Sequence, residues 1–146
     1  MRRHFSSTLR GLKLKATPKR LAILDLLARE QVYLSPEEVW HRLKGDFCAI
    51  GLPTVYRNLE ELAAGEVIST VIHPNRQLYY FHCTNRSHHH HFICIACRRV
   101  EDVEACALDG IEREVGERIG GRVLSHIVQV NGLCRECAAV GGAGKG

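Results

Sequence analysis

The sequence predicts an α+β fold in two modules: an N-terminal winged helix-turn-helix, followed by a small α/β domain built around a four-cysteine zinc site. Three observations carry this prediction. Helix and hairpin signatures follow one another up to residue 83, two Cys-x-x-Cys pairs lie beyond it, and the excess positive charge is confined to the first part. The 146 residues include 20 Lys/Arg and 16 Asp/Glu. Residues 1–83 hold 12 basic and 8 acidic side chains, while residues 84–146 hold 8 of each. Six of the 7 cysteines fall between Cys83 and Cys137. With 45% hydrophobic residues the chain has enough apolar material for a packed core.

The polar turn formers Cys83-Thr84-Asn85-Arg86-Ser87 mark the module boundary. We therefore divide the chain into a winged-helix domain at 1–83, a metal-binding domain at 84–138 and a glycine-rich flexible tail at 139–146. No stretch approaches the roughly 18 to 20 apolar residues of a membrane span, and the first seven residues lack the apolar centre of a signal peptide. A cytoplasmic location without membrane partners is expected. Disulfides are rare there, so clustered cysteines read as metal ligands or redox thiols.

Residues 1–20 carry Arg2, Arg3, Arg10, Lys13, Lys15, Lys19 and Arg20 without one acidic residue. Such a leader suits a polyanion, and on charge alone it is equally a solvated basic segment. Thr17-Pro18 opens the first helix: Thr caps free backbone N–H groups, and Pro tolerates the first helical position. Leu21, Leu24, Leu27 and Ala28 then recur at helical spacing. Ser35-Pro36-Glu37-Glu38 forms a capping box that starts a second helix, ending near Gly45. A third helix starts around Leu52-Pro53-Thr54, buries Val55, Leu59 and Leu62, and stops at Gly65. Its first turns present Thr54, Tyr56, Arg57 and Asn58 outward or sideways, and Arg and Asn suit base edges and phosphates. Apolar segments at 67–72 and 77–81 flank His73-Pro74-Asn75-Arg76 and read as a hairpin. Three helices and a hairpin make a winged helix, although a small helical bundle could share the helical part of the pattern.

In the second module, Cys94-Ile95-Ala96-Cys97 and Cys134-Arg135-Glu136-Cys137 are each spaced so that one tight turn aims two sulfurs at a single ion. The intervening 36 residues must carry structure of their own: Leu108, Ile111, Val115 and Ile119 mark a helix ending at Gly120-Gly121, and 123–130 is strand-like. A redox dithiol is disfavoured because no thioredoxin-like βαβ pattern surrounds either pair. His88-His89-His90-His91 leads straight into this module. On a strand, His88 and His90 face one way and His89 and His91 the other, so one run can feed two metal sites. Nearby donors are His82, Cys83, Glu101, Asp102, Glu104, Asp109 and His126. Cys48 and Cys106 have no partner at ligand spacing and read as structural. There is no HExxH helix for a catalytic metal, so neither an enzyme nor an organic substrate is expected.

In combination, Thr54-Val55-Tyr56-Arg57-Asn58-Leu59, the histidine run through Cys97, and Cys134-Arg135-Glu136-Cys137 resemble the ferric uptake regulator family over about residues 12–137. The resemblance implies a homodimeric, metal-responsive repressor that binds double-stranded operator DNA and dimerises through its second domain. It implies structural Zn(II) on Cys94, Cys97, Cys134 and Cys137, and DNA contacts from Lys15, Arg20, Tyr56 and Arg57. One site would use His88, His90, Asp109 and His126. A regulatory Zn(II) or Fe(II) site would use His89, His91 and Asp102 with His82 or Cys83. Iron and peroxide sensors of the family usually have a histidine where Tyr33 stands, and Cys83 is placed like the cysteine ligand of zinc uptake regulators. The reading leans to zinc sensing, with peroxide sensing and a structural zinc adaptor as alternatives.

Overall fold

The computed structural model describes residues 2–141, with side chains from His4 onward. The chain divides into two compact units, Met1–Thr84 and Asn85–Gly146.

The first unit holds four helices and a hairpin: α1 (Arg2–Gly11), α2 (Pro18–Glu30), α3 (Pro36–Leu43), α4 (Leu52–Ala64), β1 (Ser69–Ile72) and β2 (Leu78–Phe81). Of these, α1 puts part of the basic leader into a helix that the sequence pattern does not predict. Phe5 and Leu9, four residues apart, share one face of α1 and are buried against the rest of the unit. Two apolar positions among so many charges were too few to show as periodicity.

Helix α2 starts as its sequence predicts, with the Thr17 side chain accepting the Arg20 amide at 3.2 Å. The capping box of α3 is complete: Ser35 Oγ accepts the Glu38 amide at 3.2 Å and Glu38 Oε2 accepts the Ser35 amide at 2.8 Å. Ile23, Leu24 and Leu27 of α2 pack with Val39 and Leu43 of α3 and with Val55, Leu59 and Leu62 of α4. Each such side chain removed from water contributes about 1.5–3 kcal/mol. Trp40 Nε1 donates to the Ile50 carbonyl at 2.9 Å, closing the loop between α3 and α4. The antiparallel wing pairs Ser69 with Phe81 and Ile72 with Leu78. Leu34 adds a single bridge to Tyr80, which attaches the wing to the segment before α3.

The second unit is a three-stranded sheet in the order β4-β3-β5, with β3 at His90–Cys94, β4 at Val100–Val103 and β5 at Gln129–Gly132. β3 pairs antiparallel with β4 and parallel with β5, bringing Cys94 level with Gly132. A parallel pair needs a crossover. Helix α5 (Leu108–Glu114) and a π-helical turn (Val115–Ile119) form part of it, and Gly120 at φ 71° ends that turn in the left-handed region. Gly132 lets the Phe92 ring lie close to the strand, since a Cβ there would be 2.9 Å from that ring and would displace it. Strand β5 starts later than the expected 123–130. Residues 123–128 have no strand partner among the described residues, and Leu124 and Ile127 are 82% and 95% exposed. Helix α6 (Arg135–Val140) includes the start of the expected tail, and residues 142–146 lie outside the described residues.

Candidate metal centres and nucleic-acid surface

Cys94 ends β3, residues 95–97 turn away from the sheet, and Cys134 caps the start of α6 just after β5. The parallel register therefore delivers both Cys-x-x-Cys pairs to one end of the sheet. The four sulfurs lie within 4.8 Å of one another, and those of Cys97 and Cys134 are 3.7 Å apart. Zinc–sulfur bonds of about 2.3 Å in a tetrahedron place the sulfurs about 3.8 Å apart, so the donor set fits zinc. Burial raises the Cys94 thiol, but the backbone N–H groups of Cys97, Cys134 and Ala96 outweigh it and bring it down to about 6. The Cys134 sulfur beside it, then burial and the other two sulfurs, push Cys137 up to about 12. Four thiolates cannot coexist there without a cation, which is the condition a structural zinc satisfies.

The histidine run feeds the two faces of β3. On one face, His89 Nε2 and His91 Nε2 are 2.9 Å apart, and Asp102 Oδ1 of β4 is 3.7 Å from each. His89 Nδ1 lies 2.6 Å from the Ser87 carbonyl, so Nδ1–H donates there and Nε2 keeps its lone pair for a ligand. Asn85 holds Asp102 from the other side, its Nδ2 donating to Oδ2 at 2.8 Å. Burial, then the neighbouring His89, lower the His91 pKa against an opposing pull from Asp102, which keeps the ring neutral and able to ligate. In the first unit, the His82 ring packs edge-on against Phe5 at 5.4 Å.

On the other face, His88, His90 and His126 cluster with ring centroids 4.9–5.1 Å apart. The expected fourth ligand, Asp109, is not in this group. It lies exposed in the first turn of α5, where a carboxylate suits the free N–H groups of a helix start. The fourth donor beside the imidazoles is instead Cys106, in the connector just before α5. Sequence spacing reads Cys106 as structural, because its neighbour His126 is 20 residues away.

In the first unit, the link between α1 and α2 and the start of α4 enclose a groove of about 500 Å³ that includes Lys13, Lys15, Lys19, Arg20, Thr54 and Arg57. Arg57 and Tyr56 are exposed. Asn58, expected outward or sideways, is buried together with Arg20. Arg20 Nε donates to Asn58 Oδ1 at 2.9 Å, Nη1 donates to the Lys15 carbonyl at 3.1 Å, and Nη2 pairs with Glu61. Asn58 Nδ2 donates to the Thr54 carbonyl at 2.8 Å. The Tyr56 hydroxyl donates to Glu37.

A DNA-reading fold and metal-ligating clusters on one chain define the class: a metal-responsive transcription regulator. The sequence profile of the ferric uptake regulator family matches residues 11–131, and the chain belongs to that family. It is 27% identical over 131 residues to the peroxide operon regulator of Bacillus subtilis, covering 90% of this chain and 89% of the relative. To the ferric uptake regulation protein of Neisseria gonorrhoeae it is 28% identical over 129 residues, covering 88% and 89%. A zinc uptake regulator solved with zinc and DNA shares the fold at a TM-score of 0.77 and 22% identity, covering 97% of this chain and 95% of the other. Members of the family bind operator DNA as dimers. No described helix is long and apolar enough to cross a membrane.

Proposed function

We propose that the chain is a zinc-responsive repressor whose regulatory ligands are His89, His91, Asp102 and Cys83. The single observation that carries this reading is the pair of facing His89 and His91 Nε2 atoms beside the Asp102 carboxylate, a donor set suited to one cation. Cys83 is assigned over His82 because the His82 ring is packed against Phe5, whereas Cys83 is joined to His89 by only five intervening residues. A thiolate with two imidazoles and one carboxylate favours zinc over iron(II) or manganese(II). Bound there, zinc would supply the divalent charge that lets these donors share one point. Drawing Cys83 toward His89 and His91 restricts the connecting residues 84–88, so less orientational freedom is lost when two winged domains meet successive major grooves.

On DNA, Lys15, Thr54, Tyr56 and Arg57 make the contacts, and Arg20 and Asn58 hold them in place from beneath. A second copy of the chain covers the apolar side chains left exposed on the second unit, among them Ile111, Ile119, Leu124 and Ile127. Ile127→Glu should convert a dimer into a monomer by sedimentation. Peroxide sensing is the second reading, favoured by the likeness to the Bacillus regulator. Against it, Tyr33 stands where such sensors place a histidine, and it is buried edge-on against Tyr79 at 5.1 Å.

Mobility shifts on a duplex selected from a random pool test the proposal, using apoprotein and protein loaded with zinc, iron(II) or manganese(II). Zinc should tighten binding at least tenfold and at the lowest free concentration. Equal retardation by apo and loaded protein would remove the switch, and preference for iron(II) would replace the metal.

A further inference from the structure

The second imidazole cluster differs in its donor set from the one the family resemblance implies. His88, His90, His126 and Cys106 each bring one ligand atom into a group within 4.8 Å. Cys106 Sγ lies 3.7 Å from His126 Nε2. A tetrahedral zinc with bonds of about 2.0 Å to nitrogen and 2.3 Å to sulfur sets its sulfur and nitrogen ligands about 3.5 Å apart. That pair is therefore already spaced as two ligands of one ion.

A cysteine near one histidine would not make a site, but His90 adds an independent observation. The residue is 5% exposed, and its Nε2 has no hydrogen-bond partner among the described residues. A buried ring nitrogen left unpaired is destabilising unless something fills its lone pair or takes its proton. Among the described residues no carboxylate oxygen joins the group. Three imidazoles and a thiol converging on one point are suited to a cation, which would give the buried His90 nitrogen a partner.

The geometry points to a site of three imidazoles and one thiolate, formed by His88, His90, His126 and Cys106, that selects zinc or cadmium over iron(II) and manganese(II). Asp109 would have made the same site harder: a carboxylate ligand suits manganese and iron, whereas a thiolate shifts preference toward zinc and softer ions. Binding exchanges the Cys106 thiol proton for a sulfur–metal bond, the proton leaving to solvent. Cys106 is exposed, so the thiol can be reached from solvent and replaced without opening a core. This inference is independent of the regulatory role given to His89 and His91, because it concerns the opposite face of β3.

The test uses full-length protein in a Cys83→Ser background, so that position 83 contributes no thiolate, with the four-cysteine centre kept as zinc. Cobalt(II) is added as the probe, and the near-ultraviolet sulfur-to-cobalt charge-transfer band is recorded. The parent should show that band on loading. Cys106→Ser should lose it and weaken zinc binding at least tenfold, whereas Asp109→Asn should leave both unchanged. Cys106→Asp should restore binding with a zinc-to-manganese preference lowered at least tenfold. Zinc should also protect Cys106 from alkylation, read by mass spectrometry. If Cys106→Ser keeps the spectrum and zinc affinity, or if Asp109→Asn abolishes them, the thiolate assignment is overturned. DNA binding plays no part in these readouts, so they stand whatever the mobility shifts show.

Discussion

Arg20 Nε donates to Asn58 Oδ1 at 2.9 Å, tying the first turn of α2 to the second turn of α4 across 38 residues. The same guanidinium reaches the Lys15 carbonyl and Glu61, so one buried cation joins the basic link before α2 to the helix carrying Tyr56 and Arg57. Asn58→Ala would leave part of that guanidinium buried without a partner, which costs about 1–3 kcal/mol. The variant should unfold at lower temperature and bind duplex more weakly, because Lys15 and Arg57 lose their common support. Thermal unfolding and fluorescence anisotropy on one preparation measure both. A variant with wild-type stability and affinity would show that the pair positions nothing.

Lys15 and Arg57 should behave differently from Asn58, since they are exposed and bear no load in the core. Lys15→Ala and Arg57→Ala should leave unfolding within about 0.5 kcal/mol of wild type. If each touches a phosphate, each should lower the slope of log affinity against log salt by about one. Unchanged slopes would exclude phosphate contacts from these side chains.

The hydrogen bond that Tyr56 donates to Glu37 raises the phenol's pKa above its ordinary 10.0, assisted by burial and by the carboxylate's charge. The folded state thus holds this proton more tightly than the unfolded chain. The stabilisation is complete below pH 10 and is lost as pH rises through the raised value. Glu37→Gln should bring the Tyr56 titration, followed by NMR, back toward 10. No movement in the variant would show that the bond does not persist in solution.

The second unit has a small apolar interior. Among its described residues only Ile93, Cys94 and Cys134 are buried and apolar. Removing zinc from the four-cysteine centre should therefore unfold β3, β4 and β5 while α2, α3 and α4 stay protected from hydrogen exchange. Because Cys137 is held up to about 12 and Cys94 down to about 6 in the metal-free centre, zinc affinity should weaken as pH falls through that whole range and most steeply below about 6, where every sulfur must release a proton to bind. A metal-free protein with full protection across the sheet would contradict a structural role for the zinc.

The helix starts at Thr17-Pro18 and Ser35-Pro36 and the paired Cys-x-x-Cys motifs were legible in the sequence because capping and ligation are set by residues a few positions apart. What stayed hidden depends on contacts between distant segments. Asn58 reads as a surface side chain until Arg20 is seen beside it, and α1 shows only Phe5 and Leu9 as apolar signals. Cys106 reads as structural because its neighbour His126 arrives from 20 residues away, after the crossover through α5. The strand-like run at 123–130 has the composition of a strand, yet pairing is formed only at Gln129–Gly132. A strand needs a neighbour as well as a pattern.

The central claim is that zinc on His89, His91, Asp102 and Cys83 and DNA on the winged domain are thermodynamically coupled. Coupling is reciprocal, so the most direct measurement is the zinc affinity of that site with and without saturating duplex, in wild type and in Cys83→Ser. Duplex should tighten zinc binding in the wild type by the same factor, at least tenfold, by which zinc tightens DNA binding, and the effect should vanish in Cys83→Ser. A wild-type zinc affinity unchanged by DNA would contradict it.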